Sequence, residues 1–232
     1  MAAVTLLSTR DLGRRFGGLM AVSAVNFTLD QGEIRAVIGP NGAGKTTFVS
    51  LIAGRLPPSS GRIRFRDEDI TDLPAFRRVR LGIAYTFQIT SIFAKLTVLE
   101  NVTLAARSRR GKPRDVLDRV GLADRAEQVA GTLSYGHQRL LELAMGLALA
   151  PRLLILDEPT QGLSDSEIAN FVALVRSIAG ETTVMLIEHN MQVVMDLAHR
   201  ITVFNQGRIL AEGTPAEIRN NPDVQSAYLG SG

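Results

Sequence analysis

A glycine-rich segment that ends in lysine and threonine constrains the fold of this chain more than any other part of its sequence. The segment follows an apolar strand pattern, Ile34–Ile38, and precedes a predicted helix. Its glycines let successive backbone N–H groups converge on phosphate oxygens, and a helix that starts there favours an anion. A glycine-rich turn that binds nothing is the alternative, and the flanking strand and helix argue against it. We therefore predict a phosphate-binding loop formed by Gly39, Pro40, Asn41, Gly42, Ala43, Gly44, Lys45 and Thr46, with Thr47 beside it.

Two side chains give this loop its chemistry. Lys45 supplies a positive charge for the β- and γ-phosphates, and the hydroxyl of Thr46 can ligate Mg²⁺. The segment therefore predicts that the chain binds ATP together with Mg²⁺.

Two adjacent acids stand at the end of a second apolar strand pattern, residues 153–156. Asp157 has the position of the carboxylate that holds Mg²⁺ through water in such nucleotide sites. Glu158 can orient or deprotonate the attacking water, which is the work of a general base. An apolar strand that ends in two acids can also be an ordinary solvated strand end. The phosphate-binding loop favours the catalytic interpretation.

The strand and helix patterns predict an α/β fold with a parallel sheet. After Pro151, strands alternate with helices, and strands this apolar need both of their faces covered. Earlier short strands indicate an antiparallel β region. Between Leu96 and Leu149, apolar residues recur at three- and four-residue spacing, which is typical of helices. The predicted core strands are Ile34–Ile38, 153–156, 183–187 and 201–204, and the predicted late helices are 166–178 and 191–198.

The composition excludes several functions. The absence of cysteine excludes disulfides, zinc–thiolate sites and thiol catalysis, and a net charge of +3 is too small to indicate a nucleic-acid partner. The most apolar region, 140–156, is interrupted by charged residues and a proline, so no segment approaches the roughly 20 apolar residues of a membrane span. The basic run at 107–114 could contact lipid headgroups or RNA, but a solvated loop is favoured, since the run has no interleaved aromatic residues of the kind that stack on bases. We expect a cytosolic chain, and any association with a membrane must come through a partner.

A hexapeptide ahead of the strand that ends in Asp157 resembles the signature of ATP-binding cassette (ABC) transporters, whose usual core is LSGGQ. The hexapeptide is LSYGHQ, so the chain departs from that core at Tyr135 and His137. The resemblance implies that a hydroxyl and backbone amides at a helix start face the γ-phosphate of ATP held by an opposite subunit. By itself the segment could be a serine N-cap before an amphipathic helix. The residues implied to contact nucleotide are Ser134, Tyr135, Gly136 and His137.

Three single residues follow the order of motifs in ABC proteins. Gln88 resembles the glutamine that senses the γ-phosphate and Mg²⁺, and His189 resembles the switch histidine. Phe16 has the position of the aromatic residue that stacks on adenine. Ser164 occupies the usual position of the D-loop aspartate and is followed by Asp165. The resemblance therefore implies catalytic roles for Glu158, His189 and Gln88.

The resemblance covers the whole chain and implies a P-loop NTPase with a RecA-like core. It implies one ABC ATPase domain, residues 1–232, with a helical subdomain at about 89–150 that carries the signature. Two such ATPase chains, identical or related, are then expected to close face to face around two ATP molecules.

Longer stretches resemble the ATPases of branched-chain amino acid importers, and similar ATPases serve urea and short-amide uptake. These stretches are RLGIAYTFQ from Arg80, LTVLENV from Leu96, LSYGHQR from Leu133, IEHNM from Ile187 and AYLG from Ala227. A lipopolysaccharide-export ATPase is an alternative. Soluble ABC proteins of translation or repair are another, but they carry two cassettes or a long coiled coil. A nucleotide-binding regulator without turnover is disfavoured by Glu158.

The importer resemblance also implies partners and a location. The expected place is the cytoplasmic face of the inner membrane, as a peripheral subunit beneath membrane-spanning permease subunits. A periplasmic or extracellular solute-binding protein is an indirect partner. The surface after Gln88, including Ile92, Phe93 and Leu96, is implied to form a groove for a short permease helix.

Overall fold

The structure is a computed structural model that describes residues 4–86, 91–106 and 112–229. Strands and helices alternate over most of this length. The strands are β1 (Thr5–Phe16), β2 (Leu19–Asp30), β3 (Ile34–Ile38), β4 (Ser60–Phe65), β5 (Glu68–Asp69), β6 (Ile83–Tyr85), β7 (Leu153–Asp157), β8 (Thr183–Ile187), β9 (Arg200–Asn205) and β10 (Arg208–Gly213). The helices are α1 (Lys45–Ile52), α2 (Ala75–Leu81), α3 (Val98–Ala106), α4 (Pro113–Arg119), α5 (Tyr135–Ala148), α6 (Asp165–Ile178), α7 (Met191–Leu197), α8 (Pro215–Arg219) and α9 (Pro222–Leu229).

A parallel sheet lies at the centre of the described chain. Its strand order is β10-β9-β3-β8-β7-β6, and the paired strands run parallel except at the β9–β10 edge. Every residue of β3, β7 and β8 is buried, as expected for strands that are covered on both faces. The predicted parallel sheet and the α/β class are confirmed.

An antiparallel sheet with strand order β2-β1-β4-β5 packs beside the parallel one. In β4, Ile63 and Phe65 point inward while Arg62 and Arg64 are exposed, the alternation expected of a sheet with one wet face. The predicted antiparallel region is therefore present. β2 is 12 residues long, whereas apolar and polar residues alternate strictly in its sequence only over residues 25–29.

Alternate side chains of the parallel strands enter different cores. Leu154 and Leu156 of β7 join a cluster that includes residues of α3, α5 and α6. Leu153 and Ile155 join a second cluster, which includes α1 and the antiparallel sheet. The period-2 geometry of a strand thus ties both layers to one sheet. The carboxyl ends of β3, β7 and β8 are held at a common edge.

The described part of residues 96–149 contains the helices α3, α4 and α5, as the apolar spacing predicts. α5 packs on α3 and α4, and its buried Arg139 and Glu142 form an ion pair at 3.1 Å. No helix among the described residues has both the length and the apolar character that crossing a membrane requires.

Candidate functional site

The glycine-rich loop joins β3 to α1, and three of its glycines have positive φ. The φ angles are 148° at Gly39, 78° at Gly42 and 101° at Gly44. A Cβ atom at Gly39 would lie 2.2 Å from the carbonyl oxygen of Phe204, and one at Gly44 would lie 2.4 Å from that of Ala21. Glycine is therefore required both for the backbone conformation and for close packing on β9 and β2.

Lys45 reaches back across this loop. Its Nζ donates hydrogen bonds to the carbonyl oxygens of Gly39 at 2.6 Å and Pro40 at 3.0 Å. Only 5% of the residue is exposed, and burial lowers the pKa of the amine, while the charges of Glu158 and Asp157 oppose that shift. The amino group is thus held against the backbone at the start of the loop.

An open cavity of about 550 Å³ lies over the loop. It brings together residues that the sequence predicted from three separate motifs, since Phe16, Glu158 and His189 line it together with residues of the loop. The lining residues of the loop are Asn41, Gly42, Ala43, Gly44, Lys45, Thr46 and Thr47. The sequence reasoning missed five more, namely Leu19, Met20, Ala21, Gln206 and Gly207.

Phe16 ends β1 at the rim of this cavity. The guanidinium carbon of Arg14 lies 4.7 Å from the centre of the Phe16 ring, a cation–π contact. Nε of the neighbouring Arg15 donates to the carbonyl oxygen of Gly17 at 3.0 Å. Two arginines therefore brace the ring and the turn that follows it.

Asp157 is the last residue of β7, and the two oxygens of its carboxylate have different surroundings. Oδ2 accepts a hydrogen bond from the hydroxyl of Tyr85, whereas Oδ1 is buried and has no hydrogen-bond partner within the described part of the chain. Burial raises the pKa of this carboxyl, and the hydrogen bond from Tyr85 opposes that shift. An unpartnered buried oxygen is costly unless something binds it, and a hydrated Mg²⁺ ion fits that need.

Glu158 follows in a left-handed conformation, with φ 49°. Its backbone N–H donates to the carbonyl oxygen of Ile187 at 2.9 Å, and its Oε1 lies 2.9 Å from Nε2 of His189. The turn therefore directs the carboxylate away from the strand and toward the histidine. A residue other than glycine costs free energy in the left-handed conformation, and such strain is common at active sites.

The four signature residues lie elsewhere. Ser134 caps α5, and its Oγ lies 2.8 Å from Nδ1 of His137. The hydroxyl oxygen of Tyr135 accepts a hydrogen bond from Arg139 at 3.2 Å, and Gly136 packs tightly against the carboxylate of Glu167. None of the four is among the residues that line the cavity within the described chain.

Ser164, at the expected D-loop position, caps α6 in a capping box with Glu167, and Asp165 is the first residue of that helix. Gln88 lies outside the described residues, as does part of the basic run, 107–111. Sequence reasoning gave no role to Tyr85 or Glu188. The signal for both was a polar residue at or just after the end of a core strand, within three residues of a motif residue.

Comparisons with known proteins agree with this geometry. Residues 22–161 match the family described as ABC transporter, and residues 208–232 match one described as branched-chain amino acid ATP-binding cassette transporter. The high-affinity branched-chain amino acid transport ATP-binding protein LivG of Escherichia coli (strain K12) is 41% identical, over 97% of this chain and 98% of the relative. The lipopolysaccharide export system ATP-binding protein LptB of the same organism is 31% identical, over 97% of each chain.

Solved structures agree as well. The crystal structure of the ADP conformation of MJ1267, an ATP-binding cassette of an ABC transporter, superposes with a TM-score of 0.90 at 26% identity. This superposition covers 98% of this chain and 99% of the MJ1267 chain. A nucleotide-free ATP-binding cassette from an ABC transporter gives a TM-score of 0.88 at 27% identity, covering 97% and 98% of the two chains.

Proposed function

Because the chain belongs to the ABC transporter ATP-binding family, whose members hydrolyse ATP, we propose that it powers an importer of branched-chain amino acids. The observation that carries the substrate class is the 41% identity to LivG over 97% of the chain. The match of residues 208–232 to the branched-chain amino acid cassette family supports the same class.

We propose that the loop from Gly39 to Thr47 binds the phosphates of ATP through backbone amides and Lys45. Thr46, Asp157 and Gln88 would hold Mg²⁺, which when bound offsets the charge of the phosphate oxygens. The unpartnered Oδ1 of Asp157 supports this assignment. Phe16, at the rim of the cavity, would stack on the adenine ring.

Glu158 is proposed as the base that orients and deprotonates the attacking water. His189 would hold Glu158 through the Nε2–Oε1 contact and would also reach the γ-phosphate. The proton taken from water passes to the Glu158 carboxylate.

A second chain is needed to complete this site. Ser134 and Gly136, at the start of α5, lie outside the cavity of their own chain, together with Tyr135 and His137. We propose that they contact the γ-phosphate of ATP in the opposite subunit, where a helix N-terminus favours an anion. Two chains, identical or closely related, would close around two ATP molecules, and hydrolysis would reopen them. In each chain the whole of 1–232 would act as one domain, with the helices of about 89–150 as a subdomain.

The partners of this subunit are permease subunits in the membrane. Phe93 is 54% exposed, and Ile92 and Leu96 are half-buried beside it. An exposed aromatic residue beside such apolar neighbours supports a groove for a short permease helix. The chain would then work as a peripheral subunit at the cytoplasmic face of the inner membrane. A solute-binding protein outside the membrane would act through the permease.

Purification from the native membrane tests this function. A tagged chain is expected to co-purify with permease subunits, and cells that carry Lys45→Ala instead should lose uptake of labelled leucine. The variant should still co-purify with the same subunits, because the groove lies apart from the nucleotide loop. Loss of lipopolysaccharide export with normal leucine uptake would contradict the proposal and would favour the export ATPase.

A further inference from the structure

Glu188 is a buried carboxylate that joins two loops of the site. It directly follows β8 and precedes His189, and only 4% of the residue is exposed. A buried carboxylate is stable only where hydrogen bonds replace its lost hydration. Where those hydrogen bonds come from therefore decides what Glu188 holds in place.

One oxygen faces the loop that follows Glu158. Oε1 accepts a hydrogen bond from the backbone N–H of Thr160 at 3.1 Å and another from the hydroxyl of Thr160. Thr160 is itself buried. Its carbonyl accepts from Leu163 at 3.2 Å, so the turn that leads to α6 is built on the same residue.

The other oxygen faces the loop of the switch histidine. Oε2 accepts from the backbone N–H of His189 at 2.8 Å and from that of Asn190 at 3.0 Å. The side chain of Asn190 in turn caps α7. The backbone of His189 is therefore held between Glu188 and the start of a helix.

We propose that Glu188 is a positioning residue that holds His189 and the Glu158–Leu163 loop as one unit. This inference rests on the proposed function, because it assigns to Glu188 the geometry of the Glu158–His189 contact. Other links join these loops as well, among them the Glu158 N–H to Ile187 hydrogen bond and the Glu158–His189 contact itself. His189 is exposed, whereas Glu188 is shielded from water, where a hydrogen-bond network is stronger and less adaptable.

The same unit reaches the signature segment. A Cβ atom at Gly162 would lie 3.0 Å from Cε1 of Tyr135, so the loop held by Glu188 packs against a signature residue. A displacement of the signature on closure with a second chain would therefore be carried to His189 through Thr160 and Glu188.

Glu188→Gln tests this role because it keeps the shape of the side chain. An amide has one acceptor oxygen, so either the Thr160 donors or the His189 and Asn190 donors would face an NH₂ group. The expected result is a fall in kcat of about 10²-fold, the usual effect of a misplaced catalytic group, with KM for MgATP close to wild type. Thr160→Val, which loses only the hydroxyl, should lower kcat less, and Thr160→Ser should keep the wild-type kcat. The double variant Glu188→Gln with Thr160→Val should have a kcat close to that of Glu188→Gln alone.

A spectroscopic measurement separates positioning from general stability. The chain has three histidines, and ¹⁵N-histidine NMR of the protein without nucleotide should show a changed His189 ring in Glu188→Gln, with His137 and His199 as internal references. A wild-type kcat with an unmoved His189 resonance overturns the proposal. A loss of MgATP affinity together with shifts in the resonances of all three histidines also overturns the proposal, since Glu188 would then support the fold only. If the wild type itself shows no turnover, the proposed function fails, while the His189 spectrum still reports on Glu188.

Discussion

Nε2 of His189 lies 2.9 Å from Oε1 of Glu158, across the ends of two adjacent parallel strands. The two motif residues are 31 positions apart in sequence. One chain therefore brings the proposed base and His189 together, while Ser134 of that chain is not among the described residues that line the cavity. We therefore expect the second chain to supply the signature residues of each site, while Glu158 comes from the chain that holds the ATP.

Glu158→Gln should bind MgATP, hydrolyse it very slowly and accumulate as a closed dimer. Glutamine keeps the shape and the hydrogen bonding of the side chain but cannot take the proton of water. Size-exclusion chromatography with MgATP, with and without a partner ATPase, measures the dimer. A monomer under both conditions, or hydrolysis at the wild-type rate, would contradict the shared site.

Adding Ser134→Arg to Glu158→Gln should prevent that dimer, because the larger side chain would occupy the space of the opposite γ-phosphate. Gly180→Arg is the matched control. Gly180 is exposed and precedes β8, so it lies at the edge of the sheet opposite to the nucleotide loop. If the dimer still forms with Ser134→Arg, the signature does not lie in the dimer interface.

Gly44→Ala should destabilise the protein more than Gly42→Ala. Both residues have positive φ, which costs an alanine about 1–2 kcal/mol. At Gly44 the new Cβ would also lie 2.4 Å from the carbonyl oxygen of Ala21, whereas at Gly42 it would meet no atom within 4 Å. Urea unfolding without nucleotide measures both variants. Equal losses would show that the loop does not pack against β2 as described.

Glu167→Gln should lower stability at neutral pH and have no effect in acid. The backbone N–H and then the hydroxyl of Ser164 lower the pKa of Glu167 by donating to its carboxylate. The folded protein therefore favours the ionised form, so the stabilisation is complete above the ordinary value of 4.5 and is lost as pH falls through the lowered pKa. Unfolding curves of the wild type and of Glu167→Gln, recorded from neutral pH into acid, measure this difference. Glu217→Gln, in the capping box of α8, should show the same pH dependence. A difference that is constant with pH would rule out this explanation.

Phe93→Asp should abolish co-purification of the permease subunits, because a charge would replace an apolar contact in the proposed groove. Phe76→Asp is the matched control, since Phe76 is 58% exposed on α2 and Phe93 is 54% exposed. Thermal unfolding of both isolated variants should stay near wild type. Normal recovery of permease with Phe93→Asp would exclude Phe93 from the interface.

Much of the fold follows from local patterns in the sequence. β3, β7 and β8 are mostly apolar, with one charged or polar residue in each, and the observed strands match the predicted ones to within a residue. β1 was not delimited because charged and glycine residues interrupt its alternation, and its register against β2 shifts at several places. The bounds of β1 depend on its pairing with β2 and β4, which a local pattern does not record.

By itself, the sequence determined the glycine-rich loop between a strand and a helix, the acids Asp157 and Glu158 at the end of a buried strand, and the importer family, because each is carried by short stretches of residues close together in the chain. Only the tertiary structure decided which distant residues meet at the site. The placement of β8 between β3 and β7 brings Glu188 to Thr160, and the pairing of β6 with β7 brings Tyr85 to Asp157. Hydropathy shows that a strand is buried but not which strand lies beside it, so these hydrogen bonds depend on the order of strands in the sheet.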